Sequence, residues 1–358
     1  MIVREFKLRP TVKQRKTFDL ALWQMISVYN TALNKLFVGL SAGKTPSRFD
    51  LTNCFSGHGK KCGLNQDAIV GTSTRAHRAF DRWISKDSAG KRRGKPRKKS
   101  QRNKIRSITY GVSSKITEPR DRRIRIPGMG KVRCSAGILP FGPIKGGMLV
   151  RKSSGYYFQY IIDTTHAQAV SCEPKSIGID PGFSTLLTLS DGAKFENPRE
   201  LRKTAARLAQ SQRGRNKSLT ARIHERLKRQ RLDRNHKISH EIVKNYSEIY
   251  ASDDSLRGLA ARFGKSVTEA GLGDLLRMIA YKSQSCGRRF VLVNSKNTTR
   301  TCSVCLSLTG PTGLDGLGVR TWDCSCGASH DRDINAARVI LRSGQSMPSG
   351  EKTNRICA

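Results

Sequence analysis

Ile2, Phe6 and Leu8 fall on one side of an alternating run, which predicts a strand over residues 1–10, ended by Pro10. From Thr11 the period changes. Phe18, Leu22, Ile26, Tyr29, Leu33 and Leu36 recur at three- and four-residue intervals, the stripe of a helix over 11–38 with Thr11 as its N-cap. Residues 41–65 are rich in Gly, Ser and Lys and read as a loop, and a second helix is expected over 66–84. Beyond residue 107 short alternating runs return at 107–111, 123–127, 147–151 and 156–162, separated by Gly and Pro. Such runs predict a small antiparallel barrel or sheet. Its opening strand would be residues 1–10, with the helices of 11–90 inserted.

After residue 171 strand and helix alternate. Residues 176–180 and 185–190 read as strands joined through a turn, and Asp191-Gly192 signals a hairpin to Lys194-Phe195. Residues 198–246 form a long basic helical stretch, split near Gly214. A strand over 247–252, one helix over 265–286 stopped by Gly287, a strand over 290–294 and a last helix over 333–342 follow. The order predicts an α/β multidomain chain. The segment 343–358 is Ser-, Gly- and Lys-rich and is expected to be a flexible tail.

Charge narrows the function. Over 358 residues there are 67 Lys and Arg against 27 Asp and Glu, a net +40. A domain so unbalanced repels itself unless a polyanion neutralises it, and nucleic acid is the commonest one. A metabolic enzyme with a small substrate has no need of this charge. A hydrophobic content of 37% supports real cores, and 6% aromatics disfavour an extended base-stacking platform. The run from Lys91 to Arg106 has ten basic residues in sixteen and no acid. Arg92, Arg93, Lys95, Arg97, Lys98, Lys99 and Arg102 within it are candidates for backbone contact to nucleic acid. No apolar run approaches the roughly 18–20 residues of a membrane span, and the N-terminus lacks a signal peptide's apolar stretch. A cytoplasmic, nucleoid-associated protein with no membrane partner is expected; the oligomeric state is left open.

Three segments carry chemistry. Cys302-Ser-Val-Cys305 and Cys324-Ser-Cys326 offer four thiolates in two close pairs across an 18-residue loop, the pattern of a structural Zn²⁺ ribbon. Free thiols, or three cysteines with His330, are the alternatives. Gly178-Ile-Asp180-Pro-Gly182 brings an acid to the end of a strand, as RNase H-like folds present a metal-binding carboxylate, although Asp-Pro-Gly is also an ordinary turn. His330-Asp331-Arg-Asp333-Ile-Asn335-Ala-Ala337 reads locally as a helix start capped by Asp331.

Together these segments resemble the TnpB family, transposon-encoded RNA-guided nucleases related to compact type V CRISPR effectors. The likeness extends to Gly94-Lys-Pro-Arg97, to Asn30 and to Tyr281-Lys282, and covers nearly the whole chain. It implies a wedge β-barrel (1–10 and 105–170) with an inserted helical recognition domain (11–104). An RNase H-like RuvC nuclease (171–300 and 327–342) with an inserted zinc ribbon (301–326) would follow. It further implies a guide RNA, a double-stranded DNA target beside a short motif, one structural Zn²⁺ and two catalytic Mg²⁺. By the resemblance Asp180 and Asp333 are catalytic metal ligands, while Asp331 is a cap or an outer neighbour.

The middle acid departs from the family pattern. The expected strand ends Ser252-Asp253-Asp254, without Glu. A subset of the family carries this acid on the next helix, where Glu269 stands; Asp253 or Asp254 is the alternative, as is an inactive site. Along the basic helices, Arg213, Arg215, Lys217, Arg222 and Arg229 are candidates to line a nucleic-acid channel. Two competing functions are an RNA-guided DNA-binding repressor that does not cut, and a zinc-ribbon RNA-binding protein.

Overall fold

The computed structural model describes residues 1–86, 90–100, 104–140, 142–163, 174–253, 264–312 and 315–347. Arg102, Asp254 and residues 348–358 of the expected tail lie outside them; the expectation that the tail begins at 343 is corrected, because the last helix runs to Gln345. Two units, Met1–His166 and Ala167–Ala358, are each built around their own core.

In the first unit, β1 (Ile2–Arg9) leads into α1 (Val12–Ser41). Thr11 caps α1 through a reciprocal capping box with Gln14, whose amide also donates to the Lys131 carbonyl at 2.9 Å. The buried stripe of α1 is Phe18, Ala21, Leu22, Met25, Tyr29, Ala32, Leu33 and Leu36, which packs against α4 (Gln66–Ile84). Between them the expected loop is corrected: it holds two short helices, α2 (Arg48–Cys54) and α3 (His58–Cys62). Ser47 and Asp50 form a capping box that starts α2, and Leu51 is fully buried. These two local signals outweigh the Gly- and Lys-rich composition.

Five further strands complete a six-stranded antiparallel sheet: β2 (Ser107–Tyr110), β3 (Arg123–Ile126), β4 (Gly130–Cys134), β5 (Ile144–Lys152) and β6 (Gly155–Ile162), in the order β2-β5-β6-β1-β4-β3. β1 is central. Its residues 2–7 pair with β6, and Leu8 and Arg9 pair with β4. β4 lacked a period long enough to detect; it exists because it pairs along the whole of β3. Phe6, Phe158 and Tyr160 form an edge-on aromatic set in the core.

The second unit has a five-stranded sheet in the order β11-β10-β7-β8-β9. The strands are β7 (Ser176–Pro181), β8 (Thr185–Leu189), β9 (Lys194–Glu196), β10 (Glu248–Ser252) and β11 (Arg289–Val293). β7, β10 and β11 are parallel; β8 and β9 continue from β7 as antiparallel hairpins. Between β9 and β10 run α5 (Glu200–Arg213) and α6 (Lys217–Asn245), and before β11 runs α7 (Leu272–Ser285). The single helix expected over 265–286 is interrupted: residues 264–270 are helical, then Gly271 takes φ +63 and ends the segment before α7.

The faces of the sheet follow the period of two. Ile177, Ile179, Ile249 and Ala251 share one core with Ile238, Ile242, Leu275 and Ile279. Tyr250, Val291 and Val293 face the other way, with Ile340 of α8 (Arg332–Gln345). α8 lies close enough to β7 that a Cβ on Gly178 would collide with the Ala337 carbonyl. A two-stranded ribbon, β12 (Thr321–Asp323) and β13 (Ser329–Asp331), leads into α8.

Candidate thiolate centre and carboxylate-bearing helix

The ribbon gathers four thiols. Cys302 and Cys305 come from a turn after β11, and Cys324 and Cys326 from the β12–β13 turn; all four Sγ atoms lie within 4.8 Å of one another. Cys302 and Cys324 are buried, and Cys305 and Cys326 are exposed. Cys324 is drawn down to about 5 by the Cys326 backbone N–H, and then by the hydroxyls of Thr309 and Ser307. A low thiol pKa favours the thiolate that a metal requires. Four sulfur donors at this separation suit a soft, tetrahedral ion, so the cluster can hold a metal such as zinc. His330 is buried against Trp322, its Nε2 3.1 Å from Cys302 Sγ, beside the cluster while four cysteines already complete it.

The cluster is tied to α8 by a residue whose role the sequence reading did not assign. Asn335, 1% exposed, accepts the Ser303 N–H at 2.8 Å and donates to the Thr301 carbonyl at 2.8 Å. Both partners flank Cys302, so the first thiol turn is fastened to the first turns of α8. The signal was present: a buried amide inside a helix needs partners off that helix.

At the start of α8, Asp331 is the N-cap, accepting from the N–H groups of Asp333 at 3.1 Å and Ile334 at 3.0 Å. Burial opposes ionisation, but Lys194 and these N–H groups hold its carboxyl below the usual range. The Lys194 ammonium is 2.8 Å from Asp331. Asp180, Thr188 and Lys194 are direct partners across β7, β8 and β9. Asp180 therefore shares a cross-strand row with the lysine that grips the start of α8. It also shares its sheet face with Gly178, the residue α8 packs on. Asp333, in the first turn of α8, is faced by Arg320 at 3.8 Å.

Glu269 is 4% exposed. It accepts the Arg202 N–H at 3.0 Å, and the Arg202 Nε lies 3.3 Å from its other oxygen. That N–H is an orphan donor of the first turn of α5, whose N-cap residue Arg199 contributes no side-chain bond. From α6, Arg231 donates to the Thr268 carbonyl, Arg234 to Ala270 at 2.6 Å and Asn235 to Gly271 at 3.2 Å. Three side chains thus fix the end of the segment that carries Glu269. Asp253 follows β10 directly and is exposed. The register pairing Ala251 with Ile179 sets it at the same sheet end as Asp180. Among the described residues, the four cysteines are the group that gathers closely enough for one ion; Asp180, Glu269 and Asp333 do not form such a set.

The cationic candidates fall into two kinds. Arg213, Arg215, Lys217 and Arg222 are exposed and in no ion pair among the described residues, whereas Arg229 pairs with Glu225 at 3.2 Å. In the 91–100 run, Arg92, Arg93, Arg97 and Lys98 are exposed, but Lys95 and Lys99 lie over aromatic rings. A further cationic surface escaped the sequence reading. Arg9 and Arg123 both pair with Arg133, and Arg125 pairs with Lys131. Like charges directly opposite destabilise a sheet, and these five line a groove with Arg120 and Arg122. The alternation Arg123-Ile-Arg-Ile, basic at every outward position, was its sequence signal.

Comparison with known proteins agrees with the motifs. Residues 159–260 match the family of probable transposases, and residues 273–340 match the Cas12f1-like TNB domain. A "Putative RNA-guided DNA endonuclease" of Streptomyces pristinaespiralis is 32% identical over 209 residues, 54% of this chain and 51% of that protein. The "Putative RNA-guided DNA endonuclease InsQ" of Escherichia coli is 25% identical over 256 residues, 63% of each chain. The chain thus spans about half to two thirds of the length of these relatives. The solved structure of a Cas12f1–sgRNA–target DNA complex aligns over 96% of this chain and 100% of that one, at 14% identity and a TM-score of 0.39. The two family models and the two named relatives bear out the resemblance to the TnpB family. No helix among the described residues is long and apolar enough to cross a membrane.

Proposed function

We propose that the chain is an RNA-guided, metal-dependent DNA endonuclease. It would bind a transposon-end guide RNA, recognise a short motif beside its target and hydrolyse the phosphodiester backbone of double-stranded DNA. One observation carries the reading. A strand-end acid, Asp180, and the acid-bearing start of a helix, Asp331 to Asp333, share one face of a sheet through the Asp180–Thr188–Lys194 row. The strand order supports it as well, because a hairpin pair beside three parallel strands is the arrangement of RNase H-like RuvC nucleases. The wedge barrel, recognition insertion and RuvC boundaries implied by the resemblance are part of the same proposal. Over 11–104 lies the helical recognition insertion, over 301–326 the ribbon, with Zn²⁺ held by Cys302, Cys305, Cys324 and Cys326.

Hydrolysis of this kind draws on two Mg²⁺ ions, which activate a water and stabilise the leaving oxygen. Asp180, Glu269 and Asp333 are the proposed ligands, with Asp253 the alternative for the middle acid. Carboxylate oxygen suits Mg²⁺, but Glu269 is engaged by Arg202 and the three acids do not share one site as they stand. The cationic surfaces would bind guide and target chiefly through phosphates, with sequence read by base pairing.

The test is a plasmid-cleavage assay with the protein–guide complex and Mg²⁺. Asp180→Ala should abolish cutting and leave guide binding intact; a variant that also loses RNA would mark Asp180 as structural. Glu269→Gln and Asp253→Asn, assayed side by side, assign the middle acid. Matched-target binding without any cut by the wild type would favour the repressor reading instead.

A further inference from the structure

The basic run over residues 91–99 follows a fixed course along α1 and α4. Its backbone is tied at two points. The Arg93 N–H donates to the Arg82 carbonyl at the end of α4, at 3.2 Å. Asn30 of α1 grips Lys99 twice, accepting its N–H at 2.7 Å and donating to its carbonyl at 3.0 Å. Two side chains add to these ties. Lys95 Nζ sits 4.9 Å from the Phe37 ring centre and 5.5 Å from that of Trp83; these rings stack edge-on with each other and with Phe80. Lys99 Nζ is 5.4 Å from the Tyr29 ring centre. Cation–π contacts of this kind hold an ammonium without neutralising it.

Between and before these ties, Arg92, Arg93, Arg97 and Lys98 are exposed and pair with no acid among the described residues. From Arg92 to Lys98 an extended chain covers roughly 20 Å, the length of about six phosphates along one strand. A free loop would lose its conformational freedom on binding; a strap already tied down does not, so each contact adds more to affinity.

We propose that residues 91–99 are a preorganised cationic strap in which Asn30 and Lys95 are positioning residues and Arg92, Arg93, Arg97 and Lys98 contact a phosphodiester backbone. The proposal rests on the nucleic-acid reading above and divides a run of apparently equivalent cations into ties and contacts.

The experiment measures affinity of the full chain for a single-stranded RNA and for a DNA duplex of equal length across a salt series. Arg97→Ala/Lys98→Ala should flatten the slope of log K against log salt by about 1.4 on the single strand or about 1.8 on the duplex, the value for two lost phosphate contacts. Asn30→Ala and Lys95→Met should weaken binding by about tenfold at every salt concentration with the slope unchanged, because the contacting charges remain but are no longer held. An effect confined to the RNA or to the duplex identifies which backbone the strap serves. An unchanged slope for the double variant on both nucleic acids would overturn the proposal. So would wild-type affinity in Asn30→Ala and Lys95→Met, even with lowered melting temperatures, since the ties would then be structural only. A flattened slope in Lys95→Met would make Lys95 a contact and overturn its assigned role. A wild-type chain that binds neither nucleic acid would instead sink the nuclease reading on which the strap depends.

Discussion

Asp331 shows how one side chain can serve two neighbours. It satisfies orphan donors of α8 and accepts the Lys194 ammonium, joining a helix start to a sheet edge. Asp331→Ala should cost about 1 kcal/mol through the lost cap, measured by urea denaturation; an unchanged midpoint would contradict this. The carboxyl is held below its usual range in the fold. Its contribution is therefore fully present above the ordinary carboxylate pKa and is lost as pH falls through the lowered value. Asp331→Asn should lose less stability than the wild type over that acid window. Cys302 is the deepest of the four thiols. Cys302→Ser should release bound metal and lower the melting temperature, because structural metal binding is coupled to folding. Metal content and melting temperature equal to wild type would argue for free thiols.

Between elements, close approach matters more than propensity. Gly178 and Gly344 are the notches at which α8 meets the sheet: a Cβ on the first would strike the Ala337 carbonyl, and one on the second the Tyr250 ring. Gly178→Ala should destabilise the second unit by roughly 1–3 kcal/mol, the usual cost of overpacking. It should also cut the proposed DNA cleavage more than its stability loss explains, because α8 carries Asp333, one of the proposed metal ligands. Normal stability in that variant would mean that the helix can shift freely. Glu269 works at this scale too. As the structure stands it caps α5 from another segment. Glu269→Gln keeps an oxygen for the Arg202 N–H and should fold, whereas Glu269→Ala should lose the cap and the ion pair together. Thermal melts of the two variants separate this structural part from any effect on cutting.

For the whole molecule, the net +40 has a thermodynamic consequence. The free chain should gain stability as salt screens its self-repulsion. A ligand that binds the folded form alone adds about 2.7 kcal/mol at a hundredfold excess over Kd. The melting temperature of the free chain should rise across a salt series, and added RNA should raise it most at low salt, where phosphate contacts are strongest; a flat response to each would leave the excess charge without the role given it here.

The residues that repeat at a fixed period were readable in advance. The α1 stripe from Phe18 to Leu36, the Thr11 and Asp331 caps, the alternating strands and the paired cysteines are local patterns, set by backbone geometry and by the ligand chemistry of thiolates. What the sequence could not supply was pairing between distant positions. β4 joins the sheet through β1, more than a hundred residues away, whereas the capping box that starts α2 was a local signal masked by a loop-like composition. The row of like charges at Arg9, Arg133 and Arg123 appears once β1 is in register with the β3–β4 hairpin, more than a hundred residues further along the chain. The same holds for the candidate sites. Four cysteines could be named from spacing, but Asn335 as their link to α8, Arg202 as the partner of Glu269 and Asn30 as the anchor of a basic strap depend on contacts across dozens of residues. Spacing alone determines which side chains have the chemistry; chain packing decides which of them are held, paired or left exposed to a partner, because burial and hydrogen bonding are set by neighbours that are remote in the sequence.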